Sequence, residues 1–163
     1  MKTFFCALSI MSLVNLFSES AAATTQQMNP LLIRVLDVSY SGEITLEISN
    51  SSKDPIRIWK DSNSWGAARW RVLLVRKGHL QTFFQDPDQD FTVNKPTFTE
   101  IPGGARIEQR LNPNGGDWRG LEGQKIAFVP GDVVIVVYDV PFTPESLKLG
   151  VWYGVSAAST TVQ

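Results

Sequence analysis

Glu43-Ile44-Thr45-Leu46-Glu47-Ile48-Ser49 alternates polar with apolar side chains, and Val133-Val134-Ile135-Val136-Val137-Tyr138 is apolar at every position. Successive side chains of an extended backbone point to opposite faces, so the first stretch is a strand with Ile44, Leu46 and Ile48 buried and Glu43, Thr45 and Glu47 wet. The second has no wet side. Such a strand belongs in the middle of a sheet covered on both faces, or in the centre of a sandwich.

Outward from these two anchors, short alternating runs and turn residues continue in both directions. Leu31 to Tyr40 reads as a first strand with Ile33, Val35 and Tyr40 inward, turned by Ser41-Gly42. Asn50 to Pro55 is a loop, Ile56 to Lys60 a strand, and Asp61 to Ala68 a polar connection around Trp65. Trp70 to Lys77 and Leu80 to Phe84 flank Gly78-His79. Thr97 to Ile101 and Ala105 to Leu111 flank Pro102-Gly103-Gly104, which is hairpin punctuation. Asn112 to Gly123 has too many glycines around Trp118 for regular structure. Pro141 to Lys148 is a connection, and Gly150 to Ser159 the last strand, with Val151, Tyr153 and Val155 inward. After residue 24 no segment keeps a helical apolar period for three turns. About eight or nine strands at this spacing predict an all-β domain over residues 31–160, an immunoglobulin-like sandwich with Greek-key and hairpin links; a small barrel is the alternative closure.

The chain has 163 residues, 43% hydrophobic and 19% charged, with 15 basic against 16 acidic side chains. Length and balance fit one folded domain, and the absence of a positive field disfavours a nucleic-acid partner. Met1-Lys2, the apolar run from Phe4 to Phe17 and Ala21-Ala22-Ala23 have the order of a cleavable secretory signal over residues 1–23, followed by a linker over 24–30. The apolar run, about 14 residues, is shorter than the roughly 20 of a spanning helix. The expectation is a secreted or periplasmic protein with no stable membrane insertion after cleavage. Cys6 is the only cysteine and leaves with the signal, so the mature domain has neither disulfide nor thiolate.

Three pieces taken together, Ile44 to Asn50 followed by Ser51, Ser52 and Pro55, the Ile101-Pro102-Gly103-Gly104 turn, and Pro130-Gly131 opening Val133 to Tyr138, carry a resemblance. Their order resembles bacterial extracellular immunoglobulin-like domains, the proteinase-inhibitor type of sandwich among them. The resemblance spans most of residues 43–158. It implies a binding or structural module, with proteinase inhibition as one form, and transfers no functional residue.

The chemistry-bearing residues are sparse. His79 is the only histidine, and no Gly-x-Ser-x-Gly elbow is present. The usual zinc and copper ligand sets cannot be assembled, and no glycine loop cradles phosphate. No catalytic residue, metal or cofactor is expected. Glu43 and Glu47 share a strand face about 13 Å apart, too far for a glycosidase pair. Asp86, Asp88 and Asp90 alternate as calcium ligands do, but without the glycine and distal glutamate of a calcium loop. Arg57, Arg69, Arg71, Arg76 and Lys77 make a local basic zone. Asn50-Ser51-Ser52 is formally a glycosylation acceptor, read as turn chemistry. The best lead is aromatic: Trp65 and Trp118 stand in loops rich in Gly, Asn, Asp and Arg. With Arg69, Asp117 and Arg119 they form a candidate binding set for a protein or glycan partner. The expected function is an exported, non-enzymatic binding or structural module; a small carbohydrate-binding module or an inhibitor-like domain is the alternative.

Overall fold

The computed structural model describes residues 29–86, 91, 95–120 and 125–163. The expected signal, most of the linker, Asp88 and Asp90 lie outside the described residues. Among the described residues ten strands and one helix follow in order: β1 (Leu31–Val38), β2 (Ile44–Asn50), β3 (Ile56–Trp59), β4 (Trp70–Arg76), β5 (His79–Gln85), β6 (Phe98–Ile101), β7 (Arg106–Leu111), β8 (Trp118–Gly120), β9 (Val133–Val140), α1 (Pro144–Leu149) and β10 (Gly154–Thr161). The all-β class is the one the alternation predicts.

Every strand pair is antiparallel, in three sheets: β1-β2-β7, β10-β9-β4-β5-β8 and β3-β6. Ile44, Leu46 and Ile48 of β2 are buried as their spacing requires, and they share one hydrophobic cluster with Val72 and Leu74 of β4, Val134 and Val136 of β9, and Ile58 and Ile101 of the small sheet. Removing so many branched side chains from water is the main driving force of the fold, at about 1.5–3 kcal/mol for each fully buried one. Tyr138 lies between Trp70, at 4.4 Å between ring centres, and Trp152, at 5.9 Å. Its oxygen accepts the Trp59 amide hydrogen at 3.1 Å, which ties β9 to β3.

Four details depart from the sequence reading. Tyr40 is 60% exposed, because a register shift between Val35 and Asp37 ends the regular alternation of β1 before it. The last strand starts at Gly154, whose φ of 135° resets the facing of the chain. Trp152 therefore packs inward while Tyr153 and Val155 are exposed. Pro141 to Lys148 contains α1, too short to show a period but marked by its ends. Thr143 accepts from the Ser146 amide, the Ser146 hydroxyl accepts from the Thr143 amide, Pro144 opens the first turn and Gly150 closes it at φ 63°. Finally, β8 forms inside the stretch expected to be irregular, because β5 offers an edge on which three residues find backbone partners.

Candidate functional site

The five sequence-selected residues fall into two groups. Trp65 and Arg69 belong to the β3–β4 connection, which is wound around buried Asn63. The Asn63 side-chain oxygen accepts the amide hydrogens of Trp65 and Gly66, each at 3.0 Å, and its amide nitrogen donates to the Thr97 hydroxyl at 2.8 Å. Gly66 is required there, since a Cβ would collide with the Lys60 carbonyl. Trp65 is half-buried against Trp59, with ring centres 6.3 Å apart. Arg69 donates from Nε to the Trp65 carbonyl at 2.7 Å, so its guanidinium braces the connection.

Asp117, Trp118 and Arg119 sit at the far edge of the five-stranded sheet. Trp118 is only 7% exposed and belongs to the hydrophobic cluster. That corrects the expectation of a loop-borne anchor: as the first residue of β8, opposite Gln85, it points into the core rather than away from it. Among the described residues it forms no ring pair with Trp65. Arg119 is exposed and pairs with Asp86 at 2.9 Å, while Gln85 donates to Asp117 at 3.4 Å. The Gln85 side-chain oxygen is buried with no partner, a cost of about 1–3 kcal/mol for this corner.

The larger surface feature is one that residue-by-residue reading passes over. The register aligns Ala157, Val137, Arg71, Phe84 and Arg119 in one row across the sheet, then Ser159, Ile135, Leu73 and Thr82, then Thr161, Val133, Val75 and Leu80. These are the side chains opposite the core face. The apolar ones in β4 and β9 are half-buried, shaded by one another, and none belongs to the core cluster. Val155, Leu80 and Tyr153 are exposed at the margins, and Tyr153 meets exposed Phe142 edge-on at 4.9 Å. Charge gathers at one end, where Arg71 pairs with Asp139 at 3.4 Å and the Asp139 amide donates to the Arg69 carbonyl at 2.9 Å. Arg71 and Arg119 thus bring charge to this end of the apolar face. The signal for it was the second apolar side of Val133 to Val137.

The remaining candidates are accounted for locally. His79 begins β5, exposed, after the Lys77-Gly78 turn. Glu47 receives Arg34 at 3.2 Å and Arg106 at 3.1 Å, and hydrogen bonding from Arg106 holds its carboxyl below the usual value. Glu43 faces Arg110 at 3.8 Å. Arg57 lies over the Phe98 ring and binds Glu100, and Arg76 chelates Asp132, so three members of the basic zone, with Arg71, are engaged in ion pairs. The acidic alternation has only Asp86 among the described residues, and there no three His, Cys, Asp or Glu side chains gather as a metal set. No described helix is long and apolar enough to cross a membrane. Asn50 is buried; its amide donates to the Asp54 carbonyl at 2.7 Å and the Ile101 carbonyl at 3.0 Å, and its oxygen accepts from the Ser52 amide and hydroxyl. Both amide hydrogens are committed, which is the turn chemistry read from Asn-Ser-Ser.

Comparison with protein-family models, with curated proteins and with solved structures finds no match to this chain.

Proposed function

We propose that this chain is an exported, non-enzymatic binding module of immunoglobulin-like sandwich form, which holds a protein partner on the outward face of its five-stranded sheet. The observation that carries the reading is the anatomy of that face: half-buried branched side chains in the middle, arginine and aspartate at one end, aromatics at a corner. Apolar centres with polar rims are how protein interfaces are built, and contiguous apolar patches of this kind on soluble domains mark interaction sites. Arg71 and Arg119 are side chains suited to such a rim, each with donors left over after its ion pair. A glycan partner is served less well, because Trp118 turns its ring into the core and offers little face for stacking.

The test is affinity capture from the envelope fraction of the producing cell, with three baits: wild type, Leu73→Ser/Ile135→Thr on the outward face, and Trp65→Phe. The expected result is a protein retained by wild type and Trp65→Phe and lost with the face variant, whose melting curve is checked for a folded state. Retention by the face variant, or binding to a glycan array that Trp65→Phe abolishes, would overturn the reading in favour of the loop site.

A further inference from the structure

Asn114-Gly115 is the only asparagine-glycine pair in the sequence. An asparagine side chain is open to attack by the backbone nitrogen of the residue that follows, and a following glycine has no Cβ to hinder the approach, so this pair is the most labile of its kind. It stands in the connection between β7 and β8, where the chain makes an Asx turn. The Asn114 amide donates to the Asn112 side-chain oxygen at 3.1 Å, and the Gly115 amide to the Asn112 carbonyl at 2.8 Å.

Asn114 also ties three segments together. Its side-chain nitrogen donates to the Ser41 carbonyl at 2.8 Å, in the β1–β2 turn, and to the Ile126 carbonyl at 2.6 Å; its oxygen accepts the Ile126 amide hydrogen at 2.6 Å. Both backbone groups of Ile126 are thus paired with one side chain, which does for the stretch ahead of β9 what a neighbouring strand would do. The tie holds buried Ile126 in the hydrophobic cluster. Gly42 makes room for it, since a Cβ there would collide with the Asn114 nitrogen. The neighbours fix which way the amide points: turned over, its oxygen would face two carbonyls and its nitrogen an N–H.

We propose that Asn114 is a deamidation site gated by the fold. In the folded chain, bringing Cγ onto the Gly115 nitrogen means giving up the bonds to Ser41 and Ile126, and the Gly115 N–H is itself engaged. When this end of the domain opens, the Gly115 nitrogen attacks Cγ and gives up its proton, the Cγ–Nδ2 bond breaks, and ammonia leaves behind a cyclic succinimide. Water then opens the ring at either carbonyl, giving aspartate or, with the main chain rerouted through Cγ, isoaspartate. The balance is one water in and one ammonia out, with no oxidant or reductant. The product cannot remake the tie. A carboxylate only accepts, so the Ser41 and Ile126 carbonyls lose their donor and face a negative charge. Reaction during an opening therefore leaves a chain that recloses less well, and the change runs one way. This inference does not rest on the binding role proposed above.

The test incubates the purified chain at mildly alkaline pH, folded and in urea, and follows residue 114 by peptide mapping with mass spectrometry. Asn50 and Asn63, each followed by serine, are internal comparisons. The expected result is conversion to aspartate and isoaspartate in urea, and a rate at least about tenfold lower in the folded chain, because only the opened fraction reacts. Asn114→Asp supplies the product directly. Its urea midpoint should lie below that of wild type at neutral pH, and the deficit should shrink as pH falls through the carboxylate range, where proton uptake restores a donor. Equal rates in the folded and unfolded chain, no conversion in urea, or an Asn114→Asp variant as stable as wild type at neutral pH would overturn the proposal.

Discussion

The Tyr138 hydroxyl is buried between two tryptophans, and desolvation pushes its ionisation upward from the ordinary value of 10.0. In the unfolded chain the phenol loses its proton near pH 10 while the folded protein retains it, so folding binds more protons there and stability falls as pH rises above 10. Chemical denaturation between about pH 9 and 11 should show that decline. Tyr138→Phe should remove this residue's share of it and cost about 1–3 kcal/mol at neutral pH, because the Trp59 amide loses its acceptor. The opposite sign holds at Asp132, which is 2% exposed and chelated by Arg76 at 2.9 and 2.6 Å. The Arg76 hydrogen bonds lower its pKa from 3.8, so the pair's contribution is complete above about pH 4 and fades as pH falls below. Asp132→Asn should cost about 2 kcal/mol at pH 7, discounted for the partial exposure of Arg76, and flatten the acid side of the stability profile. At Asn50 both amide hydrogens are donated to backbone carbonyls, so Asn50→Ala should cost about 1–3 kcal/mol in urea denaturation.

Whole elements were legible to the degree that they repeat. β2 and β9 could be read because alternation or a doubly apolar run persists over seven or eight residues, long enough to overrule local noise. β8 could not, since three residues among glycines carry no period and exist as a strand only because β5 lies alongside. Trp118 was lost with it: whether a loop tryptophan faces water or core depends on a partner strand more than thirty residues away. α1 left its record at its ends, in Thr143, Ser146 and Gly150, where serine stands at the position usually filled by glutamate or glutamine. Thr143→Ala should therefore loosen this turn at about 1 kcal/mol in urea denaturation while leaving the sheets unchanged.

At the scale of the molecule, turn residues and apolar runs predicted the class, but the order of strands came only from pairing across distance, as between Trp70 of β4 and Tyr138 of β9. The outward apolar face of the five-stranded sheet became visible in the same step. Its members are scattered over five strands, and no local window contains Leu73, Ile135 and Ala157 together.

That strand order has a temporal side. β9 lies between β4 and β10, so an inner strand of the five-stranded sheet is supplied more than fifty residues after the β4 it pairs with. Until Val133 to Val140 has emerged, β4 has β5 as its one neighbour, its other side is open, and the larger sheet cannot close. A polypeptide built in this order keeps its larger sheet unfinished until β9 is free. Pulsed proteolysis of stalled chains should find protection appearing abruptly once residues beyond 140 are free, rather than growing with length.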